Sequence, residues 1–143
     1  DVRLIALDTL SETTNMGNFC EVRADSLRRT LAEDCNKPTA IFMHHPPFEI
    51  KDSKFPLQFD NQEAITMLSN ALEGQCHVIR AFCGHSHRDV TGNISSVPAS
   101  CVPSVAIDVR LGVFPQSFKT KPVYQIHKYN SHQGFLTETR AAS

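Results

Sequence analysis

No stretch of the 143 residues approaches 18 consecutive apolar side chains, which excludes a membrane-spanning helix. Charge of one sign is equally scarce. Fourteen basic and 15 acidic residues leave a formal net charge of -1, so nothing favours a nucleic-acid polymer or an anionic membrane as partner. The five cysteines (Cys20, Cys35, Cys76, Cys83, Cys101) contain no Cys-x-x-Cys pair. Their odd count and irregular spacing argue against a disulfide framework, and they read as small buried hydrophobes in a reducing, cytoplasmic setting. The first residues show no basic segment followed by a long apolar one, so no secretory signal is read there. Gly-x-Ser-x-Gly is missing and no cysteine has an activating neighbour, which disfavours a hydrolase with a serine or cysteine nucleophile.

What is present is a composition for one globular domain across residues 1–143, 41% hydrophobic and 20% charged. No repeat, low-complexity tract or linker divides it. The apolar runs Val2–Leu7, Thr39–Met43 and Val78–Cys83 read as buried strands. Leu27 and Leu31 predict a helix over about 24–34, after a polar loop at 11–20 that contains Gly17. Asp60 with Glu63 resembles a capping pair for a helix bearing Ile65, Leu68 and Leu72. The proline-rich stretch 46–59 reads as a loop. Beyond residue 90, the segments 104–109, 123–129 and 135–139 look like short antiparallel strands. This alternation predicts an α/β fold, whose ligands bind beyond the carboxyl ends of the strands.

Two histidine clusters fall at such ends. His44-His45-Pro46-Pro47 follows the second apolar run, and Gly84-His85-Ser86-His87-Arg88 follows the third. Neutral imidazole is the commonest metal-binding side chain, and Gly84 lets the backbone turn and approach a ligand closely. His85 and His87, two apart, share a side if that segment is extended. His77, His127 and His132 lie outside both clusters and read as structural.

The pairing of His-His-Pro-Pro with Gly-His-x-His resembles the calcineurin-like metallophosphoesterases, in particular the branch with class III cyclic-nucleotide phosphodiesterases and glycerophosphodiesterases. The likeness extends over about residues 1–100. It implies an α/β sandwich of two sheets flanked by helices, and a binuclear centre of Mn, Fe, Zn or Co that activates a hydroxide against small-molecule phosphodiesters. By motif, His44 and His85 would bind one metal and His87 the other. His45 would stand behind the ligands or face substrate, and Arg88 would help hold phosphate through its guanidinium.

The family pattern also requires Asp-x-His, a bridging aspartate and Gly-Asn-His, and these are missing: Gly17-Asn18 precedes Phe19, and Gly92-Asn93 precedes Ile94. The resemblance therefore implies a C-terminal half of such a domain, nearly inactive alone. Neutral imidazoles supply no charge to offset the repulsion between two ions, so at most one weakly bound ion is expected here. The expected partner is the missing N-terminal half, or a second copy, covering sheet otherwise exposed. The competing reading is a non-catalytic metal-binding or assembly module.

Overall fold

The computed structural model describes residues 2–51 and 53–142; Asp52, within the expected 46–59 loop, lies outside them. Five strands form one mixed sheet: β1 (Arg3–Ala6), β2 (Thr39–Phe42), β3 (Val78–Cys83), β4 (Val90–Ile94) and β5 (Val97–Cys101), in the order β1-β2-β3-β5-β4. Its first four members are parallel and β4 closes the edge antiparallel to β5. Helices α1 (Glu21–Ala32) and α2 (Gln62–Leu72) make the crossovers from β1 to β2 and from β2 to β3. Because the order β1-β2-β3 never reverses, right-handed crossovers put both helices on one face. The α/β class is therefore as expected.

The core lies between that face and the helices. Leu27 and Leu31 of α1 meet Leu68 and Leu72 of α2 over Ile41, Ala81, Ala99 and Cys101 of the sheet. The four leucines are fully buried, each contributing about 1.5–3 kcal/mol of apolar transfer. α1 starts three residues earlier than its leucine spacing indicates, with Glu21 in its first turn.

The opposite face is covered only in part. A hairpin of β6 (Val123–Asn130) and β7 (Gly134–Ala141) packs on it, with the Phe82 ring tilted against His127 at 4.0 Å and edge-on to Phe135 at 5.2 Å. Leu4 and Phe42 on the same face remain exposed. A short helix α3 (Gln116–Lys119) precedes the hairpin.

Four expectations need correction. The first strand is not buried but half-exposed, because β1 is an edge of the described sheet. Asn61, not Asp60, caps α2: its side chain accepts from the Ala64 N–H at 2.9 Å, while Asp60 binds a loop. The segment 104–109 is no strand but ends in a single 3₁₀ turn, Ile107–Val109, and pairs with no strand among the described residues. Finally, the stretch 90–101, which carries no strand signal in the sequence, forms β4 and β5, and β5 joins β3 in parallel rather than antiparallel fashion.

Glycine sets how the proline-rich loop lies down. A Cβ on Gly92 of β4 would stand 2.4 Å from the Phe48 ring, so only glycine lets that ring lie flat on the strand. Gly92→Ala is expected to cost about 1–3 kcal/mol by overpacking, read as a lowered urea midpoint. An unchanged midpoint would mean that Phe48 does not seat there.

Candidate metal centre

Three chain segments end on the same rim. Leu7 N donates to Phe42 O (2.8 Å), Met43 N to Phe82 O (3.0 Å), and Gly84 N to His44 O (2.9 Å). The parallel ladder thus runs beyond the formal strand ends and brings Thr9, His44, His45 and His85 together. His85 Nδ1 lies 3.1 Å from His44 Nε2. The His44, His45 and His85 rings form a cluster whose candidate donor atoms all lie within 4.8 Å of one another.

Only two of these rings offer a lone pair. A carbonyl oxygen can only accept, so His45 must donate from Nε2 to Asn15 O, 3.2 Å away. Its Nδ1 then accepts from the Thr9 hydroxyl at 2.9 Å. With both nitrogens engaged and the ring buried, His45 holds its neighbours in place and is not itself a donor to an ion. His44 and His85 remain. Two nitrogens bound to one tetrahedral ion at about 2.0–2.1 Å stand roughly 3.3 Å apart, close to the separation observed. Geometry and donor chemistry therefore fit a divalent cation bridging this pair. Among the described residues, no carboxylate joins the cluster.

The backbone supports this placement at a cost. His85 (φ 61°) and His87 (φ 56°) both occupy the left-handed region, and Ser86 N bonds Gly84 O at 2.7 Å in a tight turn centred on His85. Such conformations cost about 1–3 kcal/mol each and persist where surrounding contacts impose them. The extended geometry expected for His85-Ser86-His87 is therefore absent. The turn falls on the histidines rather than on Gly84, where a Cβ would meet nothing closer than 3.5 Å. His87 points into the same cleft as His85 but lies outside the three-ring cluster. Arg88 is half-buried and does not line the cleft.

That cleft, about 700 Å³, runs from His44, His85 and His87 along Phe42 and Phe82 to Tyr124, Gln125 and His127 of β6. His127 was read from sequence as structural. Only the folding of the hairpin over Phe82 reveals it as a wall of the cleft.

The loop expected at 11–20 is present, but its ties to Asp60 and His45 have no signal in the sequence. Asp60 accepts from Ser11 Oγ (2.7 Å), Thr14 Oγ1 (2.5 Å) and Asn18 Nδ2 (3.1 Å), and its N–H donates to Gly17 O (2.8 Å). Those hydroxyl bonds hold its carboxyl below the usual range. Arg23 ties the same loop to α1 through Asp8 (2.6 Å) and Leu10 O (2.9 Å). A Cβ on Gly17 would sit 2.7 Å from that of His45, so the loop can deliver Asn15 O to His45 only with glycine there.

Burial, with repulsion from His45, His44 and His87 adding to it, pushes the His85 pKa down to about 4. Burial likewise lowers His45. The imidazole that fits an ion is thus neutral and available well below neutral pH.

Comparison with known proteins gives an independent bearing. No family model matches the chain. It is 30% identical over 142 residues to a probable glycerophosphodiester phosphodiesterase GpdQ of Arcobacter nitrofigilis, covering 96% of this chain and 52% of that protein. It is 36% identical over 86 residues to the glycerophosphodiester phosphodiesterase GpdQ of Enterobacter lignolyticus, covering 59% of this chain and 30% of that protein. The chain spans about half the length, or less, of these curated relatives.

A depressed histidine makes the metal-free chain acid-sensitive in a defined window. The unfolded chain protonates near pH 6.5, while folded His85 resists until about 4. Stability is therefore flat above pH 6.5, falls between 6.5 and 4, and levels off below as far as this group is concerned. His85→Asn should flatten part of that slope in pH-resolved urea titrations, His45 and His127 retaining their share. A slope identical to that of the parent chain would contradict the assignment.

The similarity to these two phosphodiesterases and the clustered histidines together indicate a metallophosphoesterase-like relationship for this chain.

Proposed function

We propose that this chain carries the histidine half of a divalent-metal phosphodiesterase centre whose carboxylate ligands lie outside its 143 residues. The observation that carries the reading is the His44–His85 pair, poised at cation-bridging distance on the rim of the cleft. The names of these two relatives support glycerophosphodiesters as the substrate class. Cyclic-nucleotide diesters present the same phosphodiester group.

In this proposal His44 and His85 hold one ion and His87 contributes to a second, the metals being drawn from Mn, Fe, Zn and Co. Bound there, a divalent ion supplies Lewis acidity toward a phosphoryl oxygen. The rest is done by the chain's own groups. His85, neutral through burial, keeps its lone pair without competition from protons. His45, fixed by Thr9 and Asn15, blocks sideways movement of both neighbouring rings, which lie 4.8 and 4.5 Å from it. Phe42 and Phe82 give the cleft an apolar wall that limits water around a bound diester. The exposed sheet face with Leu4 and Phe42 is, in the same reading, covered by the remainder of the protein, completing a two-sheet sandwich.

Metal content and hydrolysis separate the possibilities. The dialysed chain alone is expected to retain one ion or fewer and to leave bis(p-nitrophenyl) phosphate essentially uncleaved. A version extended upstream should hold about two ions. In that version His85→Ala should lower hydrolysis at least about 100-fold, beyond the usual effect of residues that only support ligands. Two tightly held ions in the 143-residue chain would overturn the half-site. An extended protein that never hydrolyses the diester would instead favour a metal-binding or assembly module.

A further inference from the structure

The segment 104–109, expected as a strand, pairs with no strand among the described residues, yet a strand-like composition runs from 105 to 113. Val105, Ile107, Val109, Leu111 and Val113 alternate with Ala106, Asp108, Arg110 and Gly112. The five apolar side chains are 58%, 38%, 45%, 46% and 101% exposed, respectively. Five apolar residues at every second position, four of them β-branched and all facing water, form an unpartnered surface rather than a scatter of single exposed residues. The segment is lightly held. Ala106 N bonds Ser104 Oγ (3.1 Å), Arg110 N bonds Ile107 O (3.3 Å) and Leu111 N bonds His87 O (2.9 Å). Ala106 and Arg110, which flank the 3₁₀ turn, already have extended backbones.

The pattern is self-complementary about its centre. Laid antiparallel against a second copy with Val109 opposite Val109, Val105 faces Val113 and Ile107 faces Leu111 on one side of the ribbon. On the other side Ala106 faces Gly112 and Asp108 faces Arg110, twice. Directly opposed residues are the stabilising unit of such a pair, and opposite charges contribute where like charges oppose. Charge also selects the register. A slip of two residues one way sets Asp108 against Asp108, and the other way Arg110 against Arg110. A slip of one turns the apolar residues to opposite faces. Arg110 at present donates from Nη1 to Lys121 O and from Nη2 to Phe118 O, bonds in which its Nε–H takes no part.

We propose that residues 105–113 form an antiparallel two-stranded ribbon with the same residues of a second copy of this chain, about a two-fold axis through Val109. In the register that keeps the Leu111–His87 bond, forming it exchanges the Arg110 N–Ile107 O and Ala106 N–Ser104 Oγ bonds for cross-strand bonds and buries the exposed apolar row. Because Val105 lines the cleft and Leu111 holds the His87 carbonyl, the ribbon sets this interface at the cleft rim.

Sedimentation equilibrium of the full chain over a concentration series tests the proposal, with circular dichroism to confirm that each variant folds. The parent chain should reach a dimer. Val109→Lys, which sets two ammonium groups face to face, should raise the dimer dissociation constant at least about tenfold. In a second arm, mild oxidation of Val109→Cys should give a 109–109 disulfide found by peptide mass mapping. Val105→Cys should not link to itself, since its own counterpart lies at the far end of the ribbon. A chain that stays monomeric throughout overturns the proposal. So does a dimer untouched by Val109→Lys, or self-linking of Val105→Cys equal to that of Val109→Cys.

Discussion

The site depends on one continuous hydrogen-bond ladder between β2 and β3 that does not stop where the strands stop. Met43 N to Phe82 O and Gly84 N to His44 O carry the parallel register two residues beyond Phe42. That register places His44 beside Gly84, and the left-handed turn at the next residue swings His85 back until its Nδ1 is 3.1 Å from His44 Nε2. Residues 41 positions apart in the sequence are thus brought, through backbone geometry, to a separation that fits a bridging cation. The helices contribute indirectly, by packing Leu27, Leu31, Leu68 and Leu72 against the sheet and so holding its strands level.

A second constraint comes from the loop between β1 and α1. Asp60 gathers Ser11, Thr14 and Asn18, Arg23 draws in Asp8 and Leu10, and the loop closes over Gly17. Its product is one placed carbonyl, Asn15 O, which determines the tautomer of His45. His45 in turn stands edge-on to His44 and tilted against His85. A ring with both nitrogens satisfied cannot compete for the ion, and it cannot rotate without leaving a buried polar group unpaired. The electrostatic state of the site has the same origin: burial, with the crowding of neighbouring rings adding to it, lowers His85 and His45, so both stand neutral.

Much of this was legible in the sequence where a residue's neighbours along the chain determine its fate. The apolar runs of β2 and β3 and the leucine spacings of α1 and α2 announced themselves, as did the two histidine clusters at strand ends. What was hidden depended on distant partners. β4 and β5 contain Gly92, Asn93, Pro98 and Ser100, residues of turn character, and are strands only because the β3 edge accepts β5 and β5 in turn accepts β4. Pro98 is tolerated because the parallel pairing with β3 begins one residue later, at Ala99. The capping role passed from Asp60 to Asn61 because the Asp60 carboxylate is claimed by loop hydroxyls more than 40 residues away. The converse failure is 104–109, where a sound strand pattern meets no partner among the described residues.

The central claim is that His44 and His85 form the cation pair while His45 is held out of it by Thr9 and Asn15. Long-range ¹⁵N NMR of the imidazoles, before and after adding zinc to the chain, addresses it directly. The account predicts that His45 is neutral with its proton on Nε2 in both states, while His44 Nε2 and His85 Nδ1 shift together on binding. A coordination shift at either His45 nitrogen, or zinc binding that leaves His44 and His85 unmoved, would contradict it.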